Sequence, residues 1–343
     1  MRAAVVGLGM GRAHIRGYQS HPDVEVVGIS DIDESRLNSV GDEFNIHGRF
    51  TSAEEMIETL HPDVCSIAVP NKYHKQLTML ALEKGTHVLC EKPMAMNALE
   101  AEEMIAASKR AGKRLMINFS FRFTPQSQAL KREVDSGVLG EIYFGRTVWH
   151  RRRGMPRFGG WFGQKELAGG GPLIDLGVHR LDLALWLMGY PKPTWVMGAT
   201  YDPIAKRLAE ESGLDYSVED LAAGFIRFAS GASLVVEASW AANIREAELM
   251  ETRLLGTDAG LLQRNRDQGY DFVAELFVER NGSMFDLALH SSRSDNKSSM
   301  EHFVDAILSD TPHIATGEEG LIVMKLLDAL YASAESGEPI RVG

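Results

Sequence analysis

The sequence predicts an α/β Rossmann domain followed by an α+β domain with an open, mainly antiparallel sheet. Three observations predict it. The first third alternates short apolar runs with helical stretches, the pattern of βαβ units and a parallel sheet. The first apolar run, Ala3–Val6, ends in Gly7-Leu8-Gly9-Met10-Gly11, a glycine turn between strand and helix. Beyond Gly140, strand-like runs recur without regular intervening helices. A chain of 343 residues suits two domains. We expect 1–122 to form a dinucleotide-binding domain and 123–343 a substrate-binding and oligomerisation domain.

The elements follow in order. A helix with His14, Ile15 and Tyr18 on one side succeeds the glycine turn, and Val24–Ile29 is a β-branched run closed by Asp31. Ser52, with Glu55 three residues on, is a capping box that opens a helix. Val64–Val69 is a buried-strand pattern stopped by Pro70-Asn71, and the next helix runs to Gly85 as its C′ residue. Thr86–Cys90 is a strand ending at Glu91-Lys92-Pro93. Asn97 with Glu100 caps a helix that ends near Gly112, and Leu115–Phe119 is again a strand. In a parallel sheet, ligands sit at the carboxyl ends of the strands, which points to 7–11, 31, 70–74, 91–93 and 118–122. The pattern changes at Thr124, an N-cap with Pro125 at the first helical position. Ile142–Trp149, Leu221–Phe228 and Leu234–Ala238 read as strands, the last two joined by a hairpin turn at Ala229-Ser230-Gly231-Ala232. Residues 151–171 read as a long functional loop, and Met300–Leu308 and Glu318–Ser333 as closing helices.

Composition excludes several classes. Apolar residues are 44% and charged residues 24%, as in globular proteins rather than disordered ones. The 36 basic residues against 47 acidic ones leave a net charge of −11, a poor match for a nucleic-acid partner. The short run Arg151-Arg152-Arg153 does not reverse that balance and is expected to be a solvated charge run. Cys65 and Cys90 fall in apolar strands and are expected to be buried thiols, not a disulfide scaffold. No apolar run reaches the ~18 residues of a membrane span, so no membrane partner is expected. The opening apolar run of four residues is too short for a secretory core, so the cytoplasm is expected.

The glycine turn lets the backbone approach a pyrophosphate at a helix N-terminus, where free N–H groups and partial positive charge meet the anion. It departs from the usual fingerprint, with Arg at position 12 and the third glycine one place early, at Gly11. Asp31 supports it: a carboxylate at the end of the second strand accepts adenosine ribose hydroxyls. A 2′-phosphate there would meet like charge, nominally ~4 kcal/mol at 4 Å and an effective dielectric of 20. NAD is therefore expected over NADP, with nearby Arg36 as the one residue able to offset the repulsion.

Lys92 stands at a strand end where a nicotinamide would lie, and an ammonium there polarises an alcohol or carbonyl oxygen. Gly169-Gly170-Gly171-Pro172 leads into a helix running to about Met188, apolar nearly all round and therefore buried. Asp175, His179 and Asp182 are spaced so that they share one of its faces. Two readings stand: a hydrogen-bonded network holding the core, or a catalytic face on a cleft. No further ligand cluster supports a metal site. Arg122 and Asn118, beside the strand ending at Phe119, are candidates to reach substrate, and His150 precedes the long loop.

With the glycine turn, Val69-Pro70-Asn71 and His74, Glu91-Lys92-Pro93, and Gly170-Gly171-x-x-x-Asp175-x-Gly177-x-His179-x-x-Asp182 in that order, the chain resembles the Gfo/Idh/MocA family over essentially its whole length. The resemblance implies hydride exchange between a nicotinamide and a sugar, cyclitol or similar polyol. Lys92, Asp175 and His179 match the family's catalytic lysine, aspartate and histidine; some members carry tyrosine at the last position. Pro70, Asn71 and His74 match the turn flanking the cofactor riboses, and Trp161 resembles an aromatic that borders the nicotinamide. The expected cofactor-binding set is Gly7, Leu8, Gly9, Met10, Gly11, Asp31, Pro70, Asn71, His74, Glu91, Lys92 and Trp161. The expected substrate-binding set is Lys92, Arg122, Asp175 and His179. The resemblance also implies a homo-oligomer, a dimer or tetramer, paired through the open sheet. The alternatives are an inactive nucleotide-sensing regulator of the same fold and a dehydrogenase of a non-sugar substrate such as a dihydrodiol.

Overall fold

The structure, a computed structural model, describes residues 1–156, 159–290 and 297–342. Contacts divide the chain into two compact units, Met1–Phe119 with Lys297–Met324 and Ser120–Asn296 with Lys325–Gly343. A single cut after residue 122 does not describe this division, because Lys297–Met324 belongs with the N-terminal unit. The helix Ser299–Leu308 lies on the helix Gly11–Gln19, where a Cβ on Gly17 would stand 2.4 Å from Met300 Cε. Sequence shows that a helix has an apolar face, but not which core that face covers.

The first unit contains β1 (Arg2–Val6), β2 (Glu25–Ser30), β3 (Arg49–Phe50), β4 (Val64–Ile67), β5 (His87–Cys90) and β6 (Leu115–Ile117). They form one parallel sheet in the order β3-β2-β1-β4-β5-β6. β4 is buried along its whole length, which is why its sequence, apolar except for Ser66, does not alternate. Ser52 and Asn97 accept the backbone N–H groups of Glu55 and Glu100, starting their helices, and Gly112 ends one in the left-handed conformation. The strand order reverses between β1 and β4, the switch point where such sheets bind ligands.

The second unit contains β7 (Ile142–Arg151), β8 (Pro193–Tyr201), β9 (Leu221–Phe228), β10 (Ser233–Ser239), β11 (Glu248–Gly256), β12 (Ala259–Arg266), β13 (Asp271–Arg280), β14 (Ser283–Ala288) and β15 (Ile340–Arg341). They form a sheet in the order β14-β13-β12-β11-β7-β10-β9-β8-β15, antiparallel except for the β7–β10 pair. The turn between β9 and β10 closes on Phe228 N–H donating to Ala232 O, with Gly231 at φ +94°. Burial alternates strictly along β9, so the sheet has an inner and an outer face. The helix Val178–Leu187 covers the inner face at β7 and β11, where Thr147 Oγ1 donates to Arg180 O at 3.2 Å. The outer face carries Trp195, Met197 and Phe225, the first and last stacked at 5.6 Å. Among the described residues, no helix is long and apolar enough to cross a membrane.

Candidate active site

At the β1 turn, Gly7 has φ +85°, and a Cβ there would lie 2.2 Å from Ala68 O at the end of β4. Only glycine fits. A Cβ on Gly11 would lie 2.8 Å from Val5 Cγ1, so Gly11 sets the close approach of helix to strand. Gly9 has open space at its Cβ position and, with Met10, is exposed. The helix Gly11–Gln19 has no side-chain N-cap and no acidic residue in its first turn. Its N-terminus therefore suits the pyrophosphate of a dinucleotide. Gly7 N–H and Leu8 N–H are already used, donating to Ser30 O (2.8 Å) and Asp31 Oδ2 (2.9 Å). Leu8 thus shapes the turn instead of supplying a phosphate donor, a correction to its expected contact.

Asp31 is buried at the end of β2 and also accepts Asp33 N–H at 2.9 Å. Arg36 Nη1 reaches its Oδ2 at 3.1 Å, so the guanidinium is drawn onto this carboxylate. The like-charge barrier to a 2′-phosphate is correspondingly lowered.

At the ends of β4 and β5, two expected cofactor contacts prove to be supports. His74 is fully buried, with Nδ1 facing Pro93 O at 2.7 Å and Nε2 facing Val69 O at 2.9 Å. Burial pulls its pKa down against the opposing pull of the two carbonyls. With both nitrogens on backbone, His74 ties the β4 turn to the cis Lys92–Pro93 turn and does not face a ribose. The Glu91 carboxylate is buried and accepts from Asn118 Nδ2 at 2.7 Å, with His14 Nε2 at 2.8 Å. Burial alone would raise its pKa; hydrogen bonding and charge from His14, with Asn118 and Lys92, outweigh this and hold it at about 2. Asn118 in turn accepts from Ser299 Oγ at 2.6 Å, so it too is structural. Glu91 Oε2 accepts the backbone N–H of half-buried Lys92 at 3.1 Å, which fixes the backbone on which the ammonium is mounted. Asn71 is buried and Pro70 half-buried at the start of the same turn.

In the second unit, Gly170 and Gly171 leave no room for a side chain: their Cβ atoms would lie 2.1 Å from Tyr331 Oη and 2.2 Å from Glu219 O. Glu219 accepts the N–H groups of Gly171 (2.8 Å) and Leu173 (3.1 Å) and the Tyr331 hydroxyl (2.8 Å). It thereby caps the helical segment that follows. Burial raises its pKa, against the pull of these donors. That segment begins as a π-helical turn, Leu173–Gly177, before the α-helix Val178–Leu187. Half-buried Asp175 accepts the Trp240 indole N–H at 3.0 Å. His179 is 9% exposed, with Phe121 at 4.9 Å and Trp149 at 5.6 Å between ring centroids. Phe121, Trp149 and Trp240 belong to one apolar cluster with Leu176, Met250 and Phe272.

Asp182 does not share this environment. It is buried in a forked ion pair with Arg122, at 2.8 Å to Nε and 2.6 Å to Nη2, and accepts the Tyr190 hydroxyl at 2.9 Å. The core-network reading of the polar face holds for Asp182, whereas Asp175 and His179 line the aromatic cluster. Arg122 is fully buried in that network, which corrects its expected contact with substrate. Of the basic run, Arg152 and Arg153 are exposed as expected, while half-buried Arg151 pairs with Glu248 at 2.7 Å over the Trp149 ring. His150 is mostly buried near Glu237, and burial lowers its pKa. Trp161 opens a short turn, half-buried and stacked on Phe162 at 3.8 Å. Among the described residues, no group of three His, Cys, Asp or Glu is placed to hold a metal ion.

Sequence reasoning missed His14, Glu219, Trp240 and Arg180. Arg180 left a signal: an arginine within a helix otherwise apolar nearly all round. It is fully buried, donates to Gln263 Oε1 at 2.9 Å, and lies over Phe121 at 4.7 Å. Burial pulls its pKa down to about 9, with Glu248 and Tyr270 acting in the opposite direction, so it remains charged at neutral pH.

A glycine turn at the switch point of a parallel sheet, with a carboxylate at the next strand end, defines a dinucleotide-binding protein. Residues 1–119 match the oxidoreductase family with NAD-binding Rossmann fold, and residues 127–262 match the GFO/IDH/MocA C-terminal domain. The chain belongs to the Gfo/Idh/MocA family of oxidoreductases. It is 35% identical to D-glucoside 3-dehydrogenase of Escherichia coli (strain K12), over 100% of this chain and 97% of that protein. It is 24% identical to myo-inositol 2-dehydrogenase of Thermotoga maritima, over 100% of this chain and 98% of that protein. Levoglucosan dehydrogenase, solved in complex with NADH, shares the fold at a TM-score of 0.88 and 20% identity, over 100% of this chain and 99% of that one. The first unit is thus an NAD-binding Rossmann domain with the expected parallel sheet, and the second carries the expected, mainly antiparallel one.

Proposed function

We propose that this oxidoreductase transfers hydride between NAD and a secondary alcohol or ketone of a sugar, cyclitol or related polyol. The observation that carries the proposal is the Asp175–His179 pair: a carboxylate and an imidazole on one capped helical segment, set in an aromatic surround. A pocket that combines apolar walls with a few placed polar groups suits a hydroxylated ring. The three named relatives act, by their names, on a glucoside, an inositol and levoglucosan, all rich in hydroxyls.

NAD, when bound, supplies the hydride acceptor. Gly9, Met10 and Gly11 would face its pyrophosphate, Asp31 its adenosine ribose, and Pro70, Asn71 and Trp161 its nicotinamide half. His179 takes the hydroxyl proton as the alcohol is oxidised and returns it in reduction, the task of a general acid–base. Asp175 holds a neighbouring hydroxyl and orients the substrate. Lys92 donates to the reacting oxygen and stabilises the charge that develops on it. Most of the cofactor-contacting residues come from the first unit, and Asp175 and His179 from the second. The apolar outer residues Trp195, Met197 and Phe225 support pairing of two chains through the open sheet. Two buried free thiols, Cys65 and Cys90, support a reducing cytoplasmic setting.

The test is NADH formation on mixing the protein with NAD and a panel of inositols, hexoses and glycosides. Turnover on at least one polyol is expected. Binding of NAD with no turnover across the panel would instead favour a nucleotide sensor.

A further inference from the structure

Arg180 carries a buried charge that the fold satisfies only in part. Nη1 donates to Gln263 Oε1, while among the described residues Nε and Nη2 have no hydrogen-bond acceptor. The rest of the surround is aromatic, with Phe121, Phe272 and Trp149 at 4.7, 5.0 and 5.7 Å from the guanidinium carbon. Cation–π attraction offsets part of the desolvation, but a buried cation with unpaired donors remains costly and calls for a reason. Its chain neighbour gives one. His179 packs against two of the same three rings, Phe121 and Trp149.

We propose that Arg180 is a positioning residue whose buried charge holds the neighbouring His179 imidazole in its neutral, proton-accepting form. The catalytic meaning of this rests on His179 being the base; the electrostatic effect does not.

The other charged groups around the pair decide how visible the effect is. Asp175, on the preceding turn, acts the opposite way and favours the imidazolium. Glu248 on β11 is committed to Arg151 Nε of β7 and to the Trp149 indole, each at 2.7 Å. Tyr270, ahead of β13, accepts from Arg151 at 2.9 Å. Asp182, on the same helix, is neutralised by Arg122. Gln263 on β12 is uncharged. Arg180 is thus the cation of this cluster without a carboxylate of its own. At separations up to ~10 Å and an effective dielectric of ~20, such a charge shifts a neighbouring pKa by about one unit.

NMR titration of the histidine ring protons of the full chain, without cofactor or substrate, tests this; the His179 signal is identified by its loss in His179→Ala. In the wild type, His179 should titrate below the ordinary ~6.5. Arg180→Met should raise it by about one unit, Arg180→Lys should leave it near wild type, and Asp175→Asn should lower it. A folded Arg180→Met with an unmoved His179 pKa overturns the proposal. So does a wild-type value at or above the ordinary one, which decides the matter even if Arg180→Met does not fold. The readout needs no turnover. Unimpaired catalysis by His179→Ala would refute the base assignment while leaving the titration result standing, and the reverse outcome is equally separable.

Discussion

The two units assemble their functional residues in opposite ways. In the first, the candidates stand at the ends of β1, β2, β4 and β5, and each is placed by the backbone of its own strand. In the second, Asp175 and His179 sit on one short segment, but distant side chains set it: Glu219 is 48 residues from Gly171, and Trp240 is 65 from Asp175. A site made at strand ends depends mainly on glycine turns and the sheet. A site on a propped helix depends on every prop. The contrast extends to buried charge. Glu91 is met by His14 and Asn118 inside the first unit, whereas Arg122 and Asp182 neutralise each other in the second and leave Arg180 without a carboxylate partner.

The contrast can be broken at several points, taken from the largest expected effect. Replacing a proton-handling group should cost most: His179→Ala should lose ~10²–10⁴ in kcat, read from initial rates at saturating polyol and NAD. Next, Arg122→Met leaves the buried Asp182 without its guanidinium counter-charge and should destabilise the protein by ~3–5 kcal/mol in denaturant unfolding. Near-wild-type stability of that variant would mean that the second unit is not held by its internal ion pair. A smaller effect is expected at the first unit's ribose carboxylate. Wild type should prefer NAD over NADP by about tenfold or more in kcat/KM, ~1.4 kcal/mol, and Asp31→Ala should erode that preference. A wild-type preference for NADP would show that Arg36 dominates Asp31.

A further effect, read differently, is on acid stability. The Glu91 pKa is depressed in the folded state to about 2, from an ordinary value of 4.5. Its contribution is therefore fully present above the ordinary value and is lost as pH falls through that window. Glu91→Gln should flatten the wild type's loss of stability between those limits, and superimposable acid-unfolding curves would contradict the buried network.

How much was legible follows the same divide. The Rossmann alternation and the glycine turn could be read because each signal is local, a strand ending in a turn. The antiparallel character of the second sheet was legible from strand-like runs without intervening helices and from the hairpin turn Ala229-Ser230-Gly231-Ala232. The return of Lys297–Met324 to the first unit was not, since nothing in an amphipathic helix names its partner. Arg122 looked like a substrate ligand because it is a charged residue just past a strand end; its partner, Asp182, lies 60 residues on. His74 was misassigned because a buried histidine bonded to two carbonyls and an exposed one read identically in sequence. The shared face of Asp175, His179 and Asp182 assumed a regular α-helix, and the π-helical turn at Leu173–Gly177 breaks that assumption.

The central proposal is that Lys92 and His179 act in a single chemical step. Single-turnover NADH formation by Lys92→Ala, His179→Ala and the double variant tests it most directly. Groups that act as one unit are not additive. The double variant should therefore be about as slow as the slower single variant. Losses that multiply, or a single variant that turns over at the wild-type rate, would contradict the claim.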